Sequence, residues 1–201
     1  MLATGITATL PGREAFETTM DHRGGVVWLT GLPGSGKSSI AFAAQAQLRR
    51  DGVRVVVLDG DELRRGLCAD LGFSVADRNE NVRRVGEVAR LFMQQGMVVL
   101  VALVSPVRSA RDKLRQSFDA QDFIEVYCHC PLEVCRQRDP KGMYARAARA
   151  LIPAFTGVSA PYEEPLAPVL RLDTAEESLD ESVGRLTGLL RQHMDATGYK
   201  P

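Results

Sequence analysis

Long hydrophobic runs are missing from this sequence of 201 residues. The longest apolar stretch, MVVLVALV from Met97, has the length of a β-strand and falls short of the ~18 residues that cross a bilayer. The first residues also lack a basic segment followed by an apolar core and a cleavage site, the pattern of a signal peptide. We therefore expect a cytoplasmic protein with no membrane partner.

An excess of either charge is missing too, because 25 lysines and arginines balance 25 aspartates and glutamates. This balance argues against a general polyanion-binding surface, so we expect no nucleic-acid partner. Local clusters of arginine can still bind small anions. The sequence therefore points toward small-molecule ligands.

Cysteine is scarce, with four residues, although the stretch CHC at 128–130 suggests a metal site. In a strand, Cys128 and Cys130 would lie on one face and His129 on the other. No second ligand pair stands at a recognisable spacing, so reduced cysteines are the preferred interpretation.

The sequence does contain a series of β-branched apolar runs separated by helical patterns. These runs are GVVWLT (25–30), VRVVVLD (53–59), MVVLVALVS (97–105), FIEVYCH (123–129) and PVLRLD (168–173). Continuous apolar strands that alternate with helices are typical of a parallel sheet covered on both faces. The pattern predicts one α/β domain over residues 23–201 with a five-stranded parallel sheet.

Helix boundaries and two irregular segments complete this prediction. An amphipathic helix is predicted from Asn81, and Thr174 and Glu177 have the spacing of a capping box for the last helix. Residues 1–22 have little periodicity and are predicted to form a flexible extension. Residues 136–168 become rich in proline, glycine and aromatics, which fits either a lid over an active site or a packed surface loop.

A phosphate-binding motif follows the first strand. The stretch GLPGSGKS, residues 31–38 (the P-loop), matches GxxxxGK[ST] in full and stands between a strand and a helix. Its glycines let backbone amides point at phosphate oxygens, and the helix N-terminus adds partial positive charge. Lys37 is predicted to bridge terminal phosphates and Ser38 to ligate Mg²⁺. The predicted ATP-phosphate residues are Gly31, Gly34, Ser35, Gly36, Lys37, Ser38 and Ser39.

Two aspartates close the second strand, in the sequence LDGD. Asp59 and Asp61 stand at its carboxyl end, the edge where parallel sheets bind ligands. Asp61 is a candidate to orient or deprotonate an acceptor hydroxyl, or to hold Mg²⁺. A turn or a helix cap is the alternative, because aspartate suits both.

Further motifs follow the P-loop in order between Gly25 and Thr174. They read LDGDELRRGL, DLGFSVADRNENVRRVGEVARLF, SPVRSARD, PLEVCRQRDPKGMY and FTGVSAPYEEP. Together with WLTGLPGSGKSSIA they resemble the adenylyl-sulfate kinase family of P-loop kinases. The resemblance implies a P-loop kinase fold with a lid at about 136–168.

The resemblance also implies an activity and its setting. Members of this family transfer the γ-phosphoryl group of ATP to the ribose 3′-hydroxyl of adenylyl sulfate (APS), with Mg²⁺, in sulfate assimilation. ATP and APS are therefore the expected small-molecule substrates. A homodimer and functional coupling to ATP sulfurylase are further expectations from the family.

Five residues match the family's acceptor site. By resemblance, Arg64, Arg78 and Asn81 bind the phosphosulfate region through guanidinium and amide donors. Phe73 and Phe155 match two sides of an aromatic clamp on the APS adenine, here called the acceptor clamp. Seen alone, the arginines would be surface charges, the phenylalanines core residues and Asn81 a helix cap.

Two more residues complete the predicted catalytic set of Asp61 and Lys37. Ser105, at the end of the third strand, matches a family active-site position. Lys141, in RDPKG, matches a lid position from which it would neutralise transferring phosphate charge. Whether Ser105 is phosphorylated stays open.

Several positions depart from the family pattern. Pro33 replaces the serine of GLSGSGKS, and Val107 stands where tyrosine is common. The stretch RAARALIPAFTG replaces one that often reads close to KARAGEIKNFTG. These departures keep two alternatives open: a kinase for another nucleotide-linked hydroxyl, and a non-catalytic nucleotide-binding regulatory domain.

Overall fold

Five strands form one parallel sheet in the computed structural model, which describes residues 23–195. The predicted extension at 1–22 lies outside the described residues. The sheet order is β2-β3-β1-β4-β5, and every neighbouring pair is parallel. The strands are β1 (Gly25–Thr30), β2 (Val55–Asp59), β3 (Val98–Ala102), β4 (Phe123–His129) and β5 (Leu170–Asp173). The predicted α/β class and five-stranded parallel sheet are confirmed.

Seven helices connect or flank these strands within residues 23–195. They are α1 (Lys37–Arg50), α2 (Gly60–Leu63), α3 (Val75–Gln94), α4 (Arg108–Arg115), α5 (Leu132–Arg138), α6 (Met143–Ala148) and α7 (Leu179–Asp195). None of the helices in this part of the chain is both long and apolar enough to span a membrane.

The two faces of the sheet bury different residues of the same strands. Every residue of β1 is buried; Val27 and Leu29 join a core cluster with α1 and α7, whereas Val26 and Trp28 join one with α3 and α4. Each such side chain, fully buried, contributes roughly 1.5–3 kcal/mol relative to exposure. Burial on both faces explains why the strands read as continuous apolar runs rather than as alternating ones.

The long helix α3 begins earlier than its apolar pattern predicts. Ser74 caps it, and its hydroxyl accepts a hydrogen bond from the Asp77 amide at 3.1 Å. The first turns are polar and partly exposed, so they carry no hydrophobic periodicity. Asn81 lies inside this helix and is buried, so its interpretation as a helix cap is wrong.

The predicted capping box of the last helix is also wrong. The Ser178 amide donates to Glu181 Oε2 at 2.7 Å, and the Glu181 amide donates to Ser178 Oγ at 3.2 Å. Ser178 directly precedes α7, and Glu181 lies in its first turn. The Thr174 hydroxyl instead donates to the Ser35 carbonyl at 3.1 Å, so it supports the P-loop.

The segment 136–168, here called the lid, packs against the P-loop. Its helix α6 and the following turn form a third apolar cluster that includes Tyr144, Ile152 and Phe155, with Leu32 of the P-loop packed against it. The segment also lines the cleft described below. Its movement as a lid stays a prediction.

Candidate active site

A cleft of about 710 Å³ opens at the carboxyl ends of β1, β2 and β3. This is the edge at which open parallel sheets bind ligands. Of the predicted site residues, all but Gly31 and Ser35 line it. The lining members are Gly34, Gly36, Lys37, Ser38, Ser39, Asp61, Arg64, Phe73, Arg78, Asn81, Ser105, Lys141 and Phe155.

Glycine is required at two points of the P-loop. A Cβ on Gly31 would lie 2.4 Å from the Cys128 carbonyl oxygen, so the loop turns directly against the end of β4. Gly36 has φ 86, a left-handed conformation, and is the N-cap of α1. No side chain in the described part of the chain caps this helix. Its first amides therefore remain available to an anion.

Lys37 is held at the base of the P-loop. Its Nζ donates to the carbonyl oxygens of Gly31 at 2.9 Å and Leu32 at 2.7 Å. The side chain is buried, and burial lowers its pKa to about 8, while Asp59 and Asp61 among its neighbours act in the opposite direction. Burial disfavours the charged form of Lys37, and a phosphate bound beside the ammonium group would stabilise that form.

Ser38 is paired with Asp59, not with Asp61. The Ser38 hydroxyl donates to Asp59 Oδ2 at 2.6 Å, and Asp59 Oδ1 accepts from the Asp61 amide at 3.0 Å. Asp59 is buried, and it both caps α2 and faces the P-loop serine. Its role at the site was missed because the sequence places two aspartates at this edge without saying which one approaches Ser38.

Two hard oxygen donors, Ser38 Oγ and the Asp59 carboxylate, fit the preference of Mg²⁺. Mg²⁺ commonly takes one or two protein oxygens and completes its shell with phosphates and water. Within residues 23–195 no group of three or more His, Cys, Asp or Glu could hold a metal. Binding of Mg²⁺ by Asp61 stays a prediction.

The CHC stretch at 128–130 belongs to no group of potential metal ligands within residues 23–195. Cys128 is fully buried beneath the P-loop, and the cysteines of the described residues are free thiols. Burial raises the pKa of Cys128 to about 12, which keeps the thiol protonated. His129 bonds Asp173 instead, with Nδ1 2.7 Å from the carboxylate. The preference for reduced cysteines agrees with these positions.

Asp61 forms an ion pair with Lys141 of the lid. Both side chains are more than half exposed, at 57% and 58%, so the pair lies at the mouth of the cleft. The predicted general base and the predicted lid cation therefore lie in direct contact. An exposed ion pair of this kind contributes little to the stability of the fold. Its importance would lie in placing a cation beside the predicted general base.

The acceptor end of the cleft gathers two arginines around Phe73. The guanidinium carbons of Arg64 and Arg78 lie 4.5 Å and 5.6 Å from the centre of its ring. Arg78 also donates to the Ala154 carbonyl at 2.6 Å, which ties α3 to the residue before Phe155. Burial and the nearby Arg64 lower the pKa of Arg78, an arrangement that an anion would favour.

Two buried polar groups at this end lack partners. The amide nitrogen of Asn81 and the hydroxyl of Thr156 find no hydrogen-bond partner among residues 23–195, and both residues line the cleft. Both are almost fully buried, at 3% and 1% exposure. A buried unpaired donor is costly, and sites that bind polar ligands are where such groups are retained. Thr156 was missed because only packing of the lid buries it.

Ser105 is bonded to the strand beneath it. Its hydroxyl accepts from Trp28 Nε1 at 3.0 Å and lies 3.1 Å from Thr30 Oγ1, and the residue is buried. Its backbone has φ 39, in the left-handed region, and its carbonyl accepts from Arg111 at 2.6 Å. These contacts shape the loop after β3, while the catalytic role of Ser105 stays a prediction.

The far end of the cleft was not predicted. Thr174, Glu177, Ser178 and Ser182 line it opposite the acceptor end, after the carboxyl end of β5. Arg138 of the lid donates to the Thr174 carbonyl. Two sequence signals marked this region, the strand end at Thr174 and the capping-box spacing with Glu177, and both also suit a structural turn.

A family model and curated relatives match most of this chain. The adenylylsulphate kinase family model matches residues 23–173. The adenylyl-sulfate kinase of Bacillus velezensis is 48% identical over 182 residues, which cover 90% of this chain and 92% of that protein. The family resemblance predicted from the motifs is confirmed.

Solved structures agree with the fold. The Mycobacterium tuberculosis APS kinase in complex with AMPPNP and APS matches with a TM-score of 0.79 at 47% identity, covering 84% of this chain and 98% of that one. A hexameric APS kinase from Thiobacillus denitrificans matches with a TM-score of 0.62 at 31% identity, covering 90% of this chain and 30% of that one. The P-loop kinase fold is confirmed, and the chain belongs to the adenylylsulphate kinase family.

Proposed function

We propose that this protein transfers the γ-phosphoryl group of ATP to the ribose 3′-hydroxyl of APS, forming 3′-phosphoadenylyl sulfate. The observation that carries this proposal is a single cleft holding the P-loop at one wall and the Arg64, Arg78 and Asn81 set at another, with Asp61 among its lining residues. A simple ATPase would leave the second wall without a ligand.

The donor side of the cleft holds phosphate. The uncapped amides at the start of α1 and the Lys37 ammonium face the terminal phosphates, and charge develops on these oxygens during transfer. Ser38 and Asp59 would hold Mg²⁺, which supplies charge neutralisation of the phosphates when bound. The nucleoside of ATP would extend toward Thr174 and Ser178, which line the same cleft.

The acceptor side positions the attacking oxygen. Arg64, Arg78 and Asn81 bind the phosphosulfate, and the acceptor clamp holds the adenine. Asp61 accepts a hydrogen bond from the 3′-hydroxyl and takes its proton as the oxygen bonds to the γ-phosphorus. The bond from that phosphorus to the β,γ-bridging oxygen breaks, and ADP leaves. Lys141 balances the charge of Asp61 and of the transferring group.

The cellular setting proposed here follows the family. We place the reaction in cytoplasmic sulfate assimilation, with a homodimer as the working assembly and functional coupling to ATP sulfurylase. The similar protein from Thiobacillus denitrificans is hexameric, so the homodimer needs a direct test. Sedimentation of the purified chain would show a dimer or replace that part of the proposal.

The direct test is product formation. Purified protein is incubated with Mg²⁺, ATP and APS, and 3′-phosphoadenylyl sulfate is separated by ion-pair chromatography and identified by mass. We expect product from the native chain and none above background from Lys37→Ala. Arg50→Ala, at the exposed end of α1, is the matched control and should retain activity. Binding of both ligands without product would instead favour the regulatory alternative.

A further inference from the structure

One side chain of the lid touches both halves of the active site. Tyr144 lies in the first turn of α6 and is almost fully buried, at 5% exposure. The mechanism proposed above gives it no role, although it lines the cleft. Its contacts nevertheless connect the P-loop to the acceptor clamp.

The hydroxyl of Tyr144 reaches the P-loop. It donates to the Pro33 carbonyl oxygen at 2.9 Å, across 111 positions of sequence. Proline fixes its own φ, so the peptide that presents this carbonyl has limited freedom. Leu32 packs against the same apolar cluster as Tyr144. The P-loop is therefore attached to the lid by the hydrogen bond at Pro33 and by the apolar packing of Leu32.

The ring of Tyr144 reaches the acceptor clamp. It meets Phe155 edge to face, with centroids 5.1 Å apart and planes at 87°. Such a pair contributes about 0.5–1.5 kcal/mol beyond area burial and fixes the mutual orientation of the rings. A Cβ on Gly157 would lie 3.2 Å from Leu32 Cδ2 and 3.7 Å from Tyr144 Oη, so the turn after Phe155 is packed closely onto the same two residues.

The backbone of α6 is anchored as well. The Asp139 carboxylate accepts hydrogen bonds from the amides of Tyr144 and Ala145, both at 3.0 Å. The position of the Tyr144 ring is thus set by its own helix, by the P-loop and by Phe155. A displacement of the P-loop carbonyl has to be accommodated by the ring or by its partner, because the cluster is close-packed.

We propose that Tyr144 is a positioning residue that couples the P-loop to the acceptor clamp, so that a nucleotide bound at the P-loop increases the affinity for the acceptor nucleotide. The inference rests on the proposed function of the cleft. Coupling of this kind is reciprocal: the acceptor nucleotide must increase the affinity for the P-loop ligand by the same factor. It requires no contact between Tyr144 and either substrate.

The test is a binding cycle that does not depend on turnover. Dissociation constants of APS are measured by calorimetry with and without saturating AMPPNP, in the native chain and in Tyr144→Phe. This variant keeps the ring against Phe155 and removes the hydroxyl, and with it the hydrogen bond to Pro33. Tyr127→Phe is the matched control, because Tyr127 is equally buried at 5% exposure and does not line the cleft.

We expect AMPPNP to tighten APS binding at least about fivefold in the native chain and in Tyr127→Phe, within the range usual for coupled sites. In Tyr144→Phe the ratio should fall below about twofold. If Tyr144 had a merely structural role, Tyr144→Phe would weaken APS binding equally with and without AMPPNP. The ratio of the two dissociation constants would then stay as in the native chain. The inference is overturned if Tyr144→Phe keeps the ratio of the native chain. It is also overturned if AMPPNP does not change APS affinity in the native chain.

Hydrogen exchange separates failure of this inference from failure of the proposed function, because it needs only AMPPNP. AMPPNP should slow amide exchange over residues 143–157 in the native chain and not in Tyr144→Phe. Absence of protection in the native chain overturns the coupling whatever the variant does. Protection combined with no detectable APS binding would retain the coupling and reject APS as the acceptor.

Discussion

At the scale of single residues, Asp61 carries the sharpest chemical prediction. Asp61→Asn keeps the size of the side chain and removes its capacity to accept a proton, so we expect turnover to fall by roughly 10²–10⁴-fold. AMPPNP affinity, measured by calorimetry, should change little because Lys37 and Ser38 are intact. Glu62→Gln, at the exposed neighbouring acid that pairs with Arg65, is the control and should retain turnover. Near-native turnover in Asp61→Asn would remove Asp61 from the mechanism.

Lys37 predicts a proton linkage. Burial lowers its folded pKa from 10.5 to about 8, so between these values the unfolded chain binds more protons and stability increases with pH. Phosphate in the P-loop offsets the desolvation and raises this pKa again. We therefore expect AMPPNP binding near pH 9 to take up protons, seen as a dependence of the calorimetric enthalpy on buffer ionisation enthalpy. Lys37→Met should abolish the uptake; uptake that persists there would assign it to another group.

Thr156 predicts a conflict between stability and binding. Valine has nearly the same shape as threonine and removes the unpaired hydroxyl. Thr156→Val should therefore leave the free energy of unfolding unchanged or raise it by up to about 1–3 kcal/mol, and the melting temperature should follow. Thr187→Val is the matched control, because that buried hydroxyl donates to the Val183 carbonyl at 3.0 Å and its loss should destabilise. Clear destabilisation by Thr156→Val would show that its hydroxyl is bonded in solution.

At the scale of elements, two helical glycines predict opposite effects of the same substitution. A Cβ on Gly86 of α3 would lie 2.2 Å from Leu114 Cδ1 of α4, so Gly86→Ala should destabilise by about 1–3 kcal/mol. A Cβ on Gly184 of α7 meets no described atom within 4 Å, so Gly184→Ala should stabilise by about 0.5–1 kcal/mol. Urea unfolding measures both. If both substitutions change the free energy of unfolding equally, Leu114 must move aside, and the contact between α3 and α4 tolerates an added methyl group.

The elements also show what could be predicted from sequence. The central strands β1, β3 and β4 were found because burial on both faces imposes apolar runs that do not depend on distant context. The edge strand β5 is only partly buried, and its alternation of leucine with polar residues marked it instead. The start of α3 was missed because its first turns are polar and carry no apolar periodicity. Ser74 gave no signal by itself, because a serine is recognised as a cap only when the residues after it are already predicted to be helical. Glu177 was assigned to the wrong cap because Ser178 and Glu181 have the same spacing one turn later.

At the scale of the whole molecule, the site depended on contacts between distant segments. The P-loop could be predicted, since its motif is local, and the acceptor residues followed from the family resemblance. The pairing of Ser38 with Asp59, and the contact of Asp61 with Lys141, arise only when β2 lies beside the P-loop and the lid returns across it. No periodicity in the sequence encodes those approaches.

A buried ion pair ties several of these segments together. Arg111 of α4 donates to Glu125 of β4 at 2.8 Å and to the carbonyls of Ser105 and Glu163, and it is 1% exposed. Glu125→Gln leaves this arginine buried without its counter-charge, so we expect a loss of about 3–5 kcal/mol in urea unfolding.

Glu87→Gln is the control for that loss. Glu87 is an exposed glutamate whose carboxylate lies 3.6 Å from Arg90 in a loose surface pair. Stability should change little there, because water and salt screen the interaction. A comparable loss in both variants would contradict the view that burial makes the Arg111 pair different.

The unpaired donors of Asn81 and Thr156 have a consequence for directed evolution. A library screened for heat resistance alone would enrich apolar replacements at these two positions, because each removes a buried group that the free protein leaves unsatisfied. If Asn81 binds the acceptor as proposed, the clones that survive the highest temperature would be among the weakest catalysts. Selection for thermal robustness should therefore hold both positions constant and draw its gains from surfaces remote from the cleft, such as Gly184.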